Sequence, residues 1–182
     1  HNTVCSGGSV TATAHVTPVG VYNYVWTVNG VVQGINAATL SMNNLPIGNN
    51  NISVEVTPNY ANAACHASAA ATVTVVADPV VTITSDVTSL CAGGTVSLSI
   101  QSITVNSAIV GTYTYEWRVN GALIPNIIGN TLSQTLTTPG TYIYALRVVM
   151  NNGLGCVSDW SNEIVVTVAP QPVVNINPAG LG

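Results

Sequence analysis

The sequence predicts an all-β protein of two tandem β-sandwich domains with essentially no helix. Three observations predict it: a block of sequence recurs about ninety positions downstream, apolar residues alternate with a period of two, and no window carries the 3.6-residue periodicity of an amphipathic helix. The chain has 182 residues, so each half is long enough to bury a modest core of its own.

The repeat sets the organisation. Val4-Cys5-Ser6-Gly7-Gly8-Ser9-Val10 returns as Leu90-Cys91-Ala92-Gly93-Gly94-Thr95-Val96, and Tyr22-Asn23-Tyr24-Val25-Trp26-Thr27-Val28-Asn29-Gly30 returns as Tyr113-Thr114-Tyr115-Glu116-Trp117-Arg118-Val119-Asn120-Gly121. Cys65 finds its counterpart in Cys156. The spacing widens between the first cysteine and the tryptophan of the second copy, which places an inserted loop around Thr104 to Gly111, where extra length is thermodynamically mild. The boundary falls at Ala77-Asp78-Pro79. The expected units are residues 1–78, lacking a first strand of their own, residues 79–171, and a tail, 172–182.

Within the second copy, Val96, Leu98 and Ile100 alternate with Thr95, Ser97 and Ser99, the pattern of a strand with one buried face. Tyr113, Tyr115, Trp117 and Val119 share one face of the next strand. Asn120-Gly121 then supplies the positive φ angles of a type I′ hairpin turn, and Pro139-Gly140 makes a further turn. Strands over Val80 to Thr84, Thr131 to Leu136, Thr141 to Val149 and Glu163 to Val168 bring the total to about seven. Seven short strands with a tryptophan on the third give an immunoglobulin-like sandwich, with Trp26, Trp117, Tyr24 and Tyr115 in the two cores.

Composition excludes several functions. Charged residues are 4% of the chain, lysine is absent, and Arg118 and Arg147 are the sole strong bases, so no surface can neutralise a nucleic-acid backbone. Hydrophobic residues reach 47% but never run to the length of a membrane helix. A surface of Asn, Ser and Thr with a net charge of −4 offers little repulsion between copies. The chain opens on His1 without a basic-then-apolar leader, which is expected of a processed export or an excerpt of a longer chain.

The four cysteines form no Cys-x-x-Cys pair, which argues against a zinc site. Because they occupy equivalent places in both copies of an extracellular all-β repeat, each unit is expected to close its own disulfide, Cys5 with Cys65 and Cys91 with Cys156. The acids are scattered, with no pair placed for acid–base work and no calcium loop, and neither His15 nor His66 sits in a nucleophile pattern. No catalytic residue, metal ligand or cofactor is expected. Trp160, in a stretch where the first copy has small residues, either packs under a loop or, with Tyr60, forms a contact platform for a surface glycan. Asn51-Ile52-Ser53 matches a glycosylation sequon.

At Cys-x-Gly-Gly-x-Val followed by Tyr-x-Tyr-x-Trp-x-Val-Asn-Gly, the sequence resembles the PKD-like and immunoglobulin-like repeats of very large surface proteins of Bacteroidota-type bacteria. The resemblance covers nearly the whole chain and implies an exported, cysteine-bridged repeat on the bacterial cell surface. Such modules serve as stalks, spacers and ligand binders alike. The tandem sandwich, the near-absence of charge and the lack of a reactive constellation give the expectation of a structural or adhesive role rather than an enzyme, with a carbohydrate-binding module as the alternative. Where standard PKD domains carry an acidic Gly-Asp-Gly turn, this chain has Asn-Gly.

One more relation bears on assembly. Pro172-Val173-Val174-Asn175-Ile176 repeats Pro79-Val80-Val81-Thr82-Ile83, the first strand of the second unit, whereas the first unit has no such strand ahead of Cys5. An open edge and a spare strand are complementary. Val173, Val174, Asn175 and Ile176 are therefore expected to complete the first sandwich of another copy, head to tail, or of a flanking repeat in one longer polypeptide.

Overall fold

The computed structural model describes residues 2–60, 65–105, 112–151, 153–177 and 180. Among them every regular element is a strand. The loop expected at Thr104 to Gly111 lies, from residue 106 on, outside the described residues.

The chain divides into two compact units. The first comprises the residues up to Asp78 together with Val105 and residues 153–156. Its strands are β1 (Thr3–Cys5), β2 (Ser9–Thr13), β3 (Tyr22–Val28), β4 (Val31–Gln33), β5 (Thr39–Asn43), β6 (Gly48–Pro58) and β7 (Ala67–Val76). They form one sheet in the order β1-β7-β6-β3-β4 and a second of β2 and β5 alone. The second unit, from Pro79, holds β8 (Val80–Ser85), β9 (Ser89–Cys91), β10 (Gly94–Thr104), β11 (Thr112–Val119), β12 (Ala122–Leu123), β13 (Thr131–Leu136), β14 (Gly140–Asn151) and β15 (Ile164–Ala169). Its sheets are β13-β10-β8 and β12-β11-β14-β15-β9.

Both units have the immunoglobulin-like arrangement of two facing sheets, antiparallel except where β1 lies parallel to β7 and β9 parallel to β15. Alternation in sequence explains which face is buried. Leu40 and Met42 on β5, and Ile52, Val54 and Val56 on β6, turn inward on the first unit, while Ser41 and Glu55 between them stay in solvent and Ser53 is half-buried. Two-residue loops at Asn29-Gly30 and Asn120-Gly121 have positive φ at both positions (49° and 81°, 49° and 80°). Such turns match strand twist and set the β3–β4 and β11–β12 registers.

The two tryptophans are core residues, Trp26 at 3% and Trp117 at 0% exposure. Each indole also donates its N–H to a main-chain carbonyl, Trp26 to Ala37 at 2.8 Å and Trp117 to Gly129 at 3.0 Å, so no polar atom is stranded inside. Tyr24 and Tyr115 differ from expectation: both are half-buried and pack against the margin of the core. A ring two residues along a strand shares the tryptophan's face but lies about 7 Å nearer the sandwich end.

Candidate functional site: an open sandwich edge

The second unit shows what a complete edge looks like. Strand β8 pairs antiparallel with β10, Ile83 opposite Ile100 and Thr84 opposite Ser99. Val81 and Ile83 point inward and are 3% and 1% exposed, whereas Val80 points outward and is 62% exposed. The side chain of Asn162 grips the main chain of Ile83 from the other side. Its Oδ1 accepts from the Ile83 N–H at 2.9 Å and its Nδ2 donates to the Ile83 carbonyl at 3.0 Å. Ser158 and Ser161, both buried, accept through Oγ from the Val148 and Leu146 N–H groups at 2.9 and 3.0 Å. Side-chain oxygens thus stand in for strand partners along β14 where the chain has left the sheet. These three polar residues escaped sequence reasoning; the apolar-free run Ser158-Asp159 and Ser161-Asn162 between two strands was the available signal.

In the first unit the corresponding slot is empty of any strand among the described residues. Strand β2 pairs with β5 on one side only, and β1 covers β7 only at Thr74–Val76, so Ala67 to Thr72 are exposed along the rest of β7. Between these edges runs a groove of about 480 Å³, lined by Ala12, Ala14, Val16, Trp26, Val56 and Ala69 among others. A second hollow of about 240 Å³ extends it past Val4 and Val10. Side-chain size opens the groove: by the repeat, Ala12 and Ala14 stand where the complete unit has Leu98 and Ile100. Among the described residues no strand pairs with β2's outer edge, and such a row templates strand addition.

Val173, Val174 and Ile176 are 83%, 83% and 88% exposed, and Asn175 is exposed with them, in a segment that follows β15 without joining a sheet. The match of this segment to β8 fixes which side chains would enter a slot. Val174 and Ile176 correspond to the inward Val81 and Ile83, and Val173 to the outward Val80.

The cysteines correct an expectation. Cys5 is bonded to Cys156, their Cα atoms 5.4 Å apart, while Cys65 and Cys91 are exposed thiols. Register explains why neither expected pair forms. Cys5 lies opposite Val76 at the end of β7, but Cys65 comes two residues before the strand's other end at Ala67, which is itself about 30 Å from Val76 at the rise of a strand. Likewise Cys91 lies opposite Ala169, near the Gly140 end of β14, whereas Cys156 adjoins Val157, which bridges to Val149 near the other end. A disulfide needs Cα atoms within about 7 Å. Each expected pair therefore sits at opposite ends of its own sheet.

Trp160 is neither buried under a loop nor a bare platform. The Arg118 and Arg147 guanidinium carbons stand 4.3 and 4.9 Å from its ring centroid, a cation–π stack. Arg118 pairs with Glu163 at 3.1 Å and Arg147 with Glu116. Both strong bases are thus committed to one ring. Tyr60, after β6, is 80% exposed. Asn51 of the sequon is an exposed residue of β6. Among the described residues, the cluster of potential metal ligands is Cys5, Asp78 and Cys156. With its two sulfurs bonded to each other it offers no thiolate, and Asp78 accepts a hydrogen bond from the Ser6 hydroxyl at 2.7 Å.

No family model matches the chain, and no curated protein does. Among solved structures, the fibronectin(III)-like modules of Clostridium thermocellum CbhA are similar over 98% of this chain and 94% of theirs, at 10% identity and a TM-score of 0.47. Murine CEACAM1b is similar over 92% and 96%, at 12% identity and a TM-score of 0.42. The ectodomain of mouse nectin-like molecule 4 is similar over 96% of this chain and 64% of its own, at 14% identity and a TM-score of 0.39.

Proposed function

We propose that this chain is a structural and adhesive repeat of an extracellular bacterial surface filament, joined head to tail by strand donation. The observation that carries the reading is the empty slot of the first unit set beside the filled slot of the second, with an exposed segment, Pro172 to Ile176, that repeats the filling strand. In the register of β8 on β10, Ile176 lies opposite Ala14 of the acceptor, and Val174 and Ile176 enter the groove beside Ala12 and Ala14. Burying two such side chains stabilises by about 1.5–3 kcal/mol each, and the main-chain ladder adds the hydrogen bonds that β2 lacks. A contact of this kind uses two different surfaces, so it propagates instead of closing. The Cys5–Cys156 bond supports an oxidising compartment outside the cytosol. The near-absence of charge supports self-association without long-range repulsion.

Electron microscopy of the native material tests the reading together with three variants. Filaments from the native chain, lost in Val174→Asp and Ile176→Asp but kept in Val173→Asp, are the expected result. Dispersed particles from the native chain, or equal tolerance of all three substitutions, would count against it.

A further inference from the structure

Cys65 and Cys91 are the repeat counterparts of the two bonded cysteines, and the correspondence holds at the level of main-chain contacts. After Cys5 the N–H of Ser6 donates to the Val76 carbonyl at 2.8 Å; after Cys91 the N–H of Ala92 donates to Ala169 at 2.8 Å. Gly7 and Gly93 both take positive φ, 73° and 91°. A Cβ on Gly8 would fall 2.9 Å from the Cys5 carbonyl oxygen, and one on Gly94 would fall 3.0 Å from that of Cys91. Both turns therefore require the same two glycines. On the other side, Cys65 stands two residues before Ala67, which pairs with Val56 of β6. Cys156 stands two residues before Ser158, whose N–H donates to Val148 of β14 at 2.9 Å.

The bond present thus runs from the first cysteine of one repeat to the second cysteine of the next. Applied again, the same rule assigns to Cys91 the second cysteine of a following repeat, and to Cys65 the first cysteine of a preceding one. We propose that Cys91 of one copy and Cys65 of the next copy form a disulfide, the repeat counterpart of the bond between Cys5 and Cys156. This rests on the head-to-tail reading above. Both thiols are exposed, as a junction between copies requires. One thiolate attacks a mixed disulfide formed on the other sulfur. The S–S bond forms as the two thiols give up two protons and two electrons, and a disulfide oxidant accepts these and leaves as two thiols. Strand donation positions the pair, and the bond makes the junction irreversible until a reductant arrives.

The test uses the full chain with oxidised glutathione, non-reducing electrophoresis and peptide mapping. The native chain should give a ladder of multimers that collapses on reduction to the 18.6 kDa chain. Cys65→Ser and Cys91→Ser should each stay unbridged alone, and their mixture should stop at a dimer whose cross-linked peptide joins Cys91 to Cys65. A Cys91–Cys91 or Cys65–Cys65 dimer from either variant alone would overturn the assignment. So would Cys91 joined to a cysteine outside these 182 residues. Microscopy of the same samples separates the two proposals: filaments in which Cys65 and Cys91 both take an alkylating label sink the disulfide and leave strand donation standing, whereas dispersed particles sink both.

Discussion

Cys5 is covalently joined to Cys156, 151 positions further along the chain, while the cysteines expected to be their partners remain thiols. A cross-link that spans so much sequence constrains the unfolded chain strongly, by roughly 4–5 kcal/mol in the chain-entropy picture. Cys156→Ala should therefore lower the denaturant midpoint of the first unit's unfolding, and dithiothreitol should reproduce the shift in the native chain but not in the variant. Equal midpoints with and without reductant would show that this bond does not staple the fold.

The groove of the first unit should be separable from its stability. Ala12→Trp places an indole where the incoming Val174 and Ile176 would pack, and the substituted side chain fills open space rather than displacing a core residue. Thermal stability of the isolated chain should stay within about 1 kcal/mol of native while filaments disappear from electron micrographs. Filaments of normal length from this variant would place the junction elsewhere.

Tyr144 supplies a pH dependence with a definite sign. Its ring is fully buried and its hydroxyl donates to Gln134 Oε1 at 2.8 Å. Burial, with a smaller contribution from neighbouring Tyr142, pushes its pKa from 10.0 up to about 12. The folded state therefore holds the phenol proton after the unfolded chain has released it. The stabilisation is complete below pH 10 and falls by about 1.4 kcal/mol per pH unit as pH rises towards 12. Unfolding of the second unit followed by denaturant titration between pH 9 and 12 should show this slope, and Tyr144→Phe should flatten it. An unchanged slope in the variant would assign the dependence to other tyrosines.

Trypsin meets only Arg118 and Arg147. These lie on β11 and β14, paired with each other's strands, and both guanidinium groups stack on Trp160. Because cleavage needs the strand pulled out of its sheet, the native chain should keep its intact mass through prolonged digestion and be cut at both sites once denatured. Cleavage at Arg147 under native conditions would show that β14 opens locally.

The alternation of Val96, Leu98 and Ile100, the Asn-Gly hairpins and the buried tryptophans were legible in the sequence because each depends on neighbours within a few positions: a strand's two faces, a turn's φ angles, a large apolar ring. The recurrence of Pro79 to Ile83 at Pro172 to Ile176 was equally legible, since it is a likeness between two strings. Cysteine pairing was not. Cys5 and Cys65 are matched in the repeat, yet whether they meet depends on which ends of β1 and β7 coincide, and the parallel register that sets Cys5 against Val76 exists only after the sheet has formed. The ring stack of Trp160 was hidden for the same reason, because Arg118 and Arg147 come from strands that are adjacent in the sheet and distant in the chain. Local chemistry decided the elements and their faces; strand register, a property of the assembled sheets, decided which sulfurs, rings and edges came within reach of one another.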